Sequence, residues 1–175
     1  MYAKFLSSVR FAVISITLLS LCGCGYQLGS LMHPQVKSIA ISQVTNDTLF
    51  PYVSSEMRGA LAEAFCVDGS LKVKNISTAD CILHCKVTSI SISEIAKTST
   101  DDDRIFRAAE WRVTLAAEFV VIIPSMKDPL IAKRTVAGTA DFQGFGDYNT
   151  MMRQGIRQAA FEAAKQMVEY TTEAW

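Results

Sequence analysis

The sequence predicts an α+β domain in which two helices pack on one face of a mostly antiparallel sheet of about four to five strands. Segments 110–123 and 130–142 alternate apolar and polar residues, which is the period of half-buried strands. Segments 53–64 and 152–167 carry apolar residues at helical spacing. The elements are predicted in the order β-α-β-β-β-β-α. A chain of 175 residues, 50% of them hydrophobic, is long enough for one domain with its own core.

The first part of the predicted domain is a strand followed by a helix. The strand is expected over 36–44 and ends before Asn46-Asp47-Thr48. Pro51 is typical of the first turn of a helix, and Asp68-Gly69 ends that helix before a short strand at 71–73. The apolar residues of the helix share one face: Val53, Met57, Ala60, Leu61 and Ala64.

The central segment contains the most regular strands. A strand is expected over 81–94, and the turn 124–129 joins the next two strands as a hairpin. The predicted inward-facing residues are Trp111, Val113, Leu115, Ala117, Phe119, Val121, Val136, Gly138, Ala140 and Phe142. The opposite face is predicted to be polar, with Glu118, Lys133, Thr135 and Thr139.

A long terminal helix completes the predicted domain. Its N-cap is expected to be Asp147 or Asn149. The helix has one apolar stripe, formed by Met152, Ile156, Ala159, Ala163 and Met167. Because each helix has a single stripe, both are expected to cover the sheet face that carries Trp111 and Phe119.

The charge balance excludes one class of function. The chain has 17 basic and 17 acidic side chains and a formal net charge of +0. A protein that binds nucleic acid through a basic surface needs an excess of Lys and Arg, because binding is driven by counterion release. We therefore expect no nucleic-acid partner. With 4 Pro and 9 Gly, the composition also differs from that of disordered or fibrous chains.

Residues 1–23 are predicted to be a signal peptide. Lys4 and Arg10 form a basic start, and the apolar run Phe11–Leu21 follows. A membrane-spanning helix needs about 20 apolar residues, so this run fits a secretion signal instead. The remaining chain is predicted to comprise a lipidated tether over 24–35 and a single α+β domain over 36–175.

The end of the signal peptide has a second feature. Leu21-Cys22-Gly23-Cys24 resembles the lipobox of bacterial lipoproteins, whose cysteine receives a diacylglyceryl thioether and becomes the mature N-terminus. Cys24 is the predicted acceptor, because the bulky Leu21 directly precedes Cys22. By resemblance to enteric lipoproteins, Gly25 after it implies the outer membrane. We expect a covalent N-terminal lipid on Cys24, with palmitate among its acyl groups, and no other cofactor.

Three cysteines remain in the predicted domain. Cys81 and Cys85 are four residues apart in a strand, so their Cα atoms lie about 13 Å apart. A disulfide needs less than about 7 Å, which excludes that pair. An exported chain meets oxidising conditions, so Cys66 pairing with Cys81 or Cys85 stays open, and three buried thiols are the alternative. A metal site that includes His84 is disfavoured, because His84 points to the opposite strand face.

The sequence lacks the arrangements that are typical of enzymes. It has 2 His and no Gly-x-Ser-x-Gly motif, so a nucleophile with its base is missing. Asp101-Asp102-Asp103 lacks the spaced ligands of a calcium loop and is expected at a solvated hairpin tip. We therefore predict a non-enzymatic binding or assembly protein without a metal.

Several motifs, in chain order, resemble the LptE family of lipopolysaccharide-assembly lipoproteins. Gly23-Cys24-Gly25-Tyr26-Gln27-Leu28 is similar to that family's Gly-Cys-Gly-aromatic-(His or Gln)-Leu start. Asn46-Asp47-Thr48-Leu49-Phe50-Pro51 resembles its Asn-x-Thr-aromatic-x-Pro motif before the first helix. Later strands of the family resemble segments 68–73, 78–80 and 109–115. The three cysteines of the domain depart from the family pattern.

The resemblance implies partners and a place in the cell. Members of the family lie as a plug inside the outer-membrane barrel LptD, help that barrel to fold, and bind lipopolysaccharide during its delivery to the cell surface. This implies an LptD-like barrel and lipopolysaccharide as partners, at the periplasmic side of the outer membrane. A polar sheet face suits the polar lumen of a barrel.

The resemblance also implies a region for lipopolysaccharide binding. Family members hold lipopolysaccharide with basic residues near the loop before the Glu-aromatic strand. The matching loop here runs from Lys97 to Arg107 and contains Arg104; Lys133 on the polar face is a further candidate. Arg and Lys both donate charge-assisted hydrogen bonds to phosphates. The alternative is that these are solvated charges beside a turn.

Two other functions stay open at this point. Small α+β lipoproteins with similar strand and turn motifs also act as activators or scaffolds of envelope enzymes or secretion complexes. An envelope hydrolase is the less favoured alternative, because the nucleophile–base pair is missing.

Overall fold

The computed structural model describes residues 36–98, 107–144 and 147–173. In chain order its elements are β1 Ser38–Ile41, β2 Thr45–Asn46, α1 Val53–Asp68, β3 Lys72–Val73, β4 Cys81–Thr98, β5 Arg107–Ile122, β6 Ile131–Gln143 and α2 Tyr148–Thr172. The predicted α+β class is confirmed, and the short strand β2 is added to the predicted order. The predicted signal peptide and tether lie outside the described residues.

The strands form one six-stranded mixed sheet. Its spatial order is β3-β1-β4-β5-β6, and β2 pairs with β4 beyond the end of β1. β4, β5 and β6 pair antiparallel, whereas β1, β2 and β3 pair parallel to their neighbours. The parallel pairing of β1 with β3 follows from the helix α1 between them, since parallel strands need a crossover connection.

The predicted alternation of β5 and β6 is confirmed. Val113, Leu115, Ala117 and Phe119 are at most 1% exposed, and Val136, Ala140 and Phe142 are buried on the same face. Both helices cover this face, and their predicted stripes are buried except for Met152, which is partly buried. Asp147 is the N-cap of α2, where its side chain accepts a hydrogen bond from the Asn149 N–H at 3.1 Å.

A β-bulge at Thr88 changes the phase of β4. Before it, Cys85 and Val87 face the helices, and after it Ile90 and Ile92 do so. The Thr88 hydroxyl donates to the Ala116 carbonyl at 3.1 Å. The inserted residue therefore keeps one apolar face along a strand of 18 residues.

The two helices run parallel to each other on the sheet. Glu56 near the start of α1 lies 3.9 Å from Arg157 in α2, while Asp68 at the end of α1 lies beside Glu169. α2 packs closely on β6 because small residues meet at the contact, where a Cβ on Gly138 would lie 1.9 Å from the Ala159 carbonyl oxygen. This contact fixes the depth of α2 on the sheet.

Trp111 faces the helices, as predicted, at the margin of the core. Trp111 lies on the predicted face but is only partly buried. Its ring stacks on Phe142, with centroids 6.5 Å apart, and meets Tyr148 edge-on at 5.5 Å. Tyr148 is the first residue of α2, so the indole packs against the end of that helix rather than its middle.

The disulfide left open by the sequence is not formed. Cys66, Cys81 and Cys85 are free, and Cys66 is exposed whereas the other two are buried beneath the helices. The Cys66 side chain therefore points away from the sheet that carries its two candidate partners. Burial raises the pKa of both the Cys81 and Cys85 thiols to about 12. His84 is exposed on the opposite face, as the alternation predicts.

Candidate functional site

The sheet face opposite the helices is polar and carries an alternating row of charges. We call this surface the open face. Its row is made by Asp47 after β2, Lys86 in β4, Glu118 in β5 and Lys133 in β6. Each charge therefore lies beside one of opposite sign across four neighbouring strands.

Hydrogen-bonded ion pairs join the row at both ends. Lys86 Nζ lies 2.6 Å from Asp47 Oδ2, and Lys133 Nζ lies 2.6 Å from Glu118 Oε2. Between these pairs, Lys86 and Glu118 are direct cross-strand partners. The Asp47 hydrogen bond and charge, together with Glu118, raise the pKa of Lys86. Lys86 is therefore charged at neutral pH, and the row as a whole contains two basic and two acidic side chains.

A second charged pair lies further along the same face. Arg112 and Asp141 are cross-strand partners in β5 and β6. The Arg112 Nε and Nη2 atoms each donate a hydrogen bond of 2.7 Å to the Asp141 carboxylate. These hydrogen bonds lower the pKa of Asp141 and raise that of Arg112. Because the pair is bidentate, it fixes the orientation of both side chains relative to each other.

Between the charged pairs, the open face is lined by small and hydroxyl-bearing residues. Ser89 of β4 pairs with Ala116 of β5 and Ser91 with Thr114, and Thr139 of β6 lies opposite Thr114. A shallow depression of about 210 Å³ lies at the row of charges. Three members of the row line it together with neighbouring residues: Lys86, Glu118, Lys133, Gln43, Thr45, His84 and Val120. Such a surface can make many hydrogen bonds, and it also carries the partly exposed apolar side chains Ile82, Val120 and Ile122.

The structure separates the predicted lipopolysaccharide-binding residues. Lys133 lies on the open face, where it is paired with Glu118. Lys97 and Arg107 lie in β4 and β5 near the far end of their hairpin. Along β4, eleven residues separate Lys97 from the row of charges, or roughly 35 Å of strand. Arg104 lies outside the described residues, as does Cys24.

Sequence reasoning missed most of this site. Glu118 and Lys133 were expected on the polar face, but their pairing and the roles of Asp47, Lys86 and the Arg112–Asp141 pair were not. The signal was present as opposite charges at alternating positions of neighbouring strands. This pattern predicts specific ion pairs only when the strand register is known, because the register determines which charged side chains are cross-strand neighbours.

The described residues contain no group of three or more side chains that could hold a metal ion. Within the same ranges, no helix is long and apolar enough to cross a membrane.

Solved structures with the same fold include a lipoprotein. Protein XCC0632 from Xanthomonas campestris, of the DUF330 family, matches with a TM-score of 0.56 at 11% identity, over 80% of this chain and 88% of that one. A minor lipoprotein from Acinetobacter baumannii matches with a TM-score of 0.51 at 12% identity, over 79% and 94% of the two chains. PelC from Paraburkholderia phytofirmans, solved as a dodecamer, matches with a TM-score of 0.51 at 12% identity, over 82% and 92%. These likenesses show the fold.

Sequence comparison is more specific. Among curated proteins, none matches the sequence. The model of the family described as "LptE: Lipopolysaccharide-assembly" matches residues 36–171, which is the whole of the sheet and nearly all of both helices. The chain therefore belongs to the LptE family of lipopolysaccharide-assembly proteins.

Proposed function

We propose that this chain is an outer-membrane lipoprotein, anchored by a lipid on Cys24, that binds lipopolysaccharide and supports the assembly and function of an LptD-like barrel. Its role is non-enzymatic. Family membership supports the role in lipopolysaccharide assembly. The observation that carries the barrel contact is the open face, with its neutral row of charges and its serine and threonine side chains.

The physical reason is the match between this face and a barrel lumen. The interior of an outer-membrane barrel is polar, so a plug must present polar groups rather than a large apolar patch. Charges on a contact surface stay favourable only if they keep partners when water is removed. Here the charges already have partners within the chain, so contact with the barrel can bury them without leaving any charge unpaired.

The barrel contact is tested by reversing charges on the open face. The double variant Lys86→Glu, Lys133→Glu places four negative charges in the row, and we expect it to lose capture of the barrel from outer-membrane extracts. Exposed ion pairs contribute about 0–1 kcal/mol to stability, so the fold should be retained. The matched control is Arg157→Glu, Lys165→Glu on the helices, which also reverses two exposed basic residues. Equal barrel capture by both variants would contradict the proposed contact.

Lipopolysaccharide binding requires a separate test. Replacing Arg104 and Arg107 by Glu should weaken binding by at least about tenfold, since each charge-assisted hydrogen bond contributes about 1.5–3 kcal/mol. The single variants Lys97→Glu and Lys133→Glu then test which end of the sheet contributes to lipopolysaccharide binding. Binding should be measured with and without a chelator, because Asp101-Asp102-Asp103 would otherwise act through bridging divalent cations. Unchanged affinity for all variants in both conditions would exclude these residues.

The same capture experiment addresses the alternative function. An activator or scaffold of another envelope enzyme or secretion complex would capture that enzyme or complex instead of a barrel. Mass spectrometry of the proteins that copurify with the tagged chain distinguishes the two.

A further inference from the structure

The sheet has two outer edges, and they differ in how well they are protected from pairing with another chain. The edge strand β3 is two residues long, and Lys72 and Lys74 are exposed there. Short edge strands and lysine side chains are common devices against unwanted strand pairing. The edge strand on the other side, β6, is 13 residues long and contains no proline. We call the side of β6 that faces away from β5 its outer edge.

Two hydrogen bonds identify the residues of β6 whose backbone groups point to the outer edge. The Ala116 carbonyl of β5 accepts from the Thr88 hydroxyl on the β4 side, so Ala116 and its cross-strand partner Ala137 form a non-hydrogen-bonded pair. The Ala137 carbonyl accepts from the Gln166 side chain of α2 at 3.0 Å, which agrees with an outward direction. The same phase repeats at every second residue of the strand, at Thr135, Thr139 and Asp141.

The outer edge of β6 is continuous with the open face. The side chains of its four outward residues are exposed on that face. In the part of the chain that the structure describes, Gln166 supplies the one side-chain hydrogen bond to this edge. A partner that covers the open face therefore also meets a row of backbone N–H and C=O groups. Such groups need hydrogen-bond partners once they are buried, and an added strand supplies them.

The surroundings of the outer edge restrict what can pair with it. α2 lies directly over β6, because a Cβ on Gly138 would lie 1.9 Å from the Ala159 carbonyl oxygen. A second copy paired antiparallel would bring its own α2 to about 5 Å from this one, the spacing of adjacent strands, whereas packed helices need about 8–10 Å. A strand in the wall of a closed barrel is also excluded, since both of its edges are already paired. An extended segment that carries no helix fits both conditions.

We propose that the outer edge of β6 accepts an extended segment of the barrel partner, from outside its closed wall, as a seventh strand of this sheet. The inference rests on the proposed function and adds the element that holds the partner. In strand addition, backbone hydrogen bonds supply affinity and alternate side chains supply specificity. On the open face the segment would lie beside Thr135, Ala137 and Thr139, so small, hydroxyl-bearing or β-branched side chains suit it there.

The test uses the full-length lipoprotein and its barrel. Ala137→Pro removes an N–H that points away from β5, so the hydrogen bonds between β5 and β6 are kept while an added strand is blocked. The matched control is Ala137→Ser, which keeps the N–H at the same position. We expect Ala137→Pro to bind the barrel at least about tenfold more weakly than the wild type, and Ala137→Ser to bind like the wild type. Thr135→Pro, at the next outward position, replaces Ala137→Pro if that variant does not fold.

Hydrogen exchange of backbone amides tests the same pairing without a variant. In the free chain, the outward amides of Ala137 and Thr139 should exchange rapidly, whereas the inward amides of Val136 and Ala140 should exchange slowly. In the complex with the barrel, all four amides should exchange slowly. Rapid exchange of the outward amides in the complex would overturn the proposal.

The two proposals fail in different ways. If the wild-type chain captures no barrel, the proposed function fails and the inference fails with it. If the wild type captures the barrel and the folded proline variant does so equally well, only the inference fails. It also fails if the outward amides exchange slowly in the free chain and sedimentation velocity shows a dimer, since a second copy then occupies the edge.

Discussion

Gly138 of β6 lies directly beneath the backbone of Ala159 in α2, so that a Cβ at position 138 would approach the Ala159 carbonyl oxygen to 1.9 Å and the Ala163 amide nitrogen to 2.5 Å. Both of these atoms belong to the helix backbone and cannot move aside as a flexible side chain would. The whole of α2 would have to rise from the sheet to admit even one methyl group.

We therefore expect Gly138→Ala to destabilise the domain by about 3 kcal/mol, the upper end of overpacking effects. The matched control is Gly59→Ala in α1, where a Cβ would meet nothing within 4 Å. That variant should be neutral or more stable by up to about 1 kcal/mol, because Ala has the higher helix propensity. Urea unfolding of both variants provides the measurement, and equal midpoints would contradict the close contact.

The loss of stability on truncating an aromatic residue in β5 should depend on how deeply the ring is buried rather than on its size. Phe119 is 1% exposed, so Phe119→Ala should cost about 3–5 kcal/mol. Trp111 is only partly buried, and we expect Trp111→Ala to cost about 1.5–3 kcal/mol despite the larger ring. The urea unfolding midpoints of the two variants provide the comparison. A lower midpoint for Trp111→Ala than for Phe119→Ala would contradict the partial burial of the indole.

The three thiols of the domain should react at different stages of unfolding. Cys66 is exposed and should be alkylated by iodoacetamide in the folded protein, whereas Cys81 and Cys85 are buried with pKa values of about 12. The thiolate is the reactive form, so these two should react only after denaturation. Mass spectrometry of the labelled protein counts the modified sites. Labelling of Cys85 at the rate of Cys66 under native conditions would contradict the burial.

The Arg112–Asp141 pair should make stability depend on acid pH. The hydrogen bonds from Arg112 hold the pKa of the Asp141 carboxyl below its ordinary value of 3.8. The stabilisation is therefore present above that ordinary value and is lost as pH falls through the lowered one. The difference in melting temperature between wild type and Asp141→Asn should be largest above about pH 5 and shrink below about pH 4. A difference that stays constant down to pH 2 would exclude this linkage.

Lipidation gives a prediction for the precursor. Because the thioether needs the sulfur of the acceptor, Cys24→Ser should leave an unprocessed chain in the membrane fraction. Cys22→Ser should be processed normally and serves as the control. Gel mobility and mass distinguish the processed chain from the precursor in each variant. Processing of Cys24→Ser together with loss of processing in Cys22→Ser would show that Cys22 is the acceptor.

Much of the fold was predictable because apolar residues recur at regular spacing in its main strands and helices. In β5 and in the second half of β6 one residue in two is apolar. The stripe of α1 ends at Gly69, which adopts a left-handed conformation with φ 71°. The bulge at Thr88 was not predictable with the same ease. The alternation of apolar residues shifts by one position between Val87 and Ile90, but the same shift is equally consistent with the end of a strand.

The candidate site was less predictable than the fold. Alternation indicates that Lys133 and Glu118 share a face, but only the register fixed by the turn 124–129 brings their charges to 2.6 Å. Trp111 illustrates the converse, since its position on the apolar face was correct while its burial depended on where α2 begins. Both cases are decided by how one element is placed against another.

The parallel course of α1 and α2 has an electrical consequence. Each helix carries a partial charge of about +0.5 at its start and −0.5 at its end, and in parallel helices these add instead of cancelling. Neither helix has a basic residue in its last turn, and Asp68, Glu169 and Glu173 lie at that end. These two helix ends therefore place negative potential at one end of the domain, where Lys165 and Arg134, whose guanidinium lies 4.9 Å from the Tyr170 ring centroid, partly offset it.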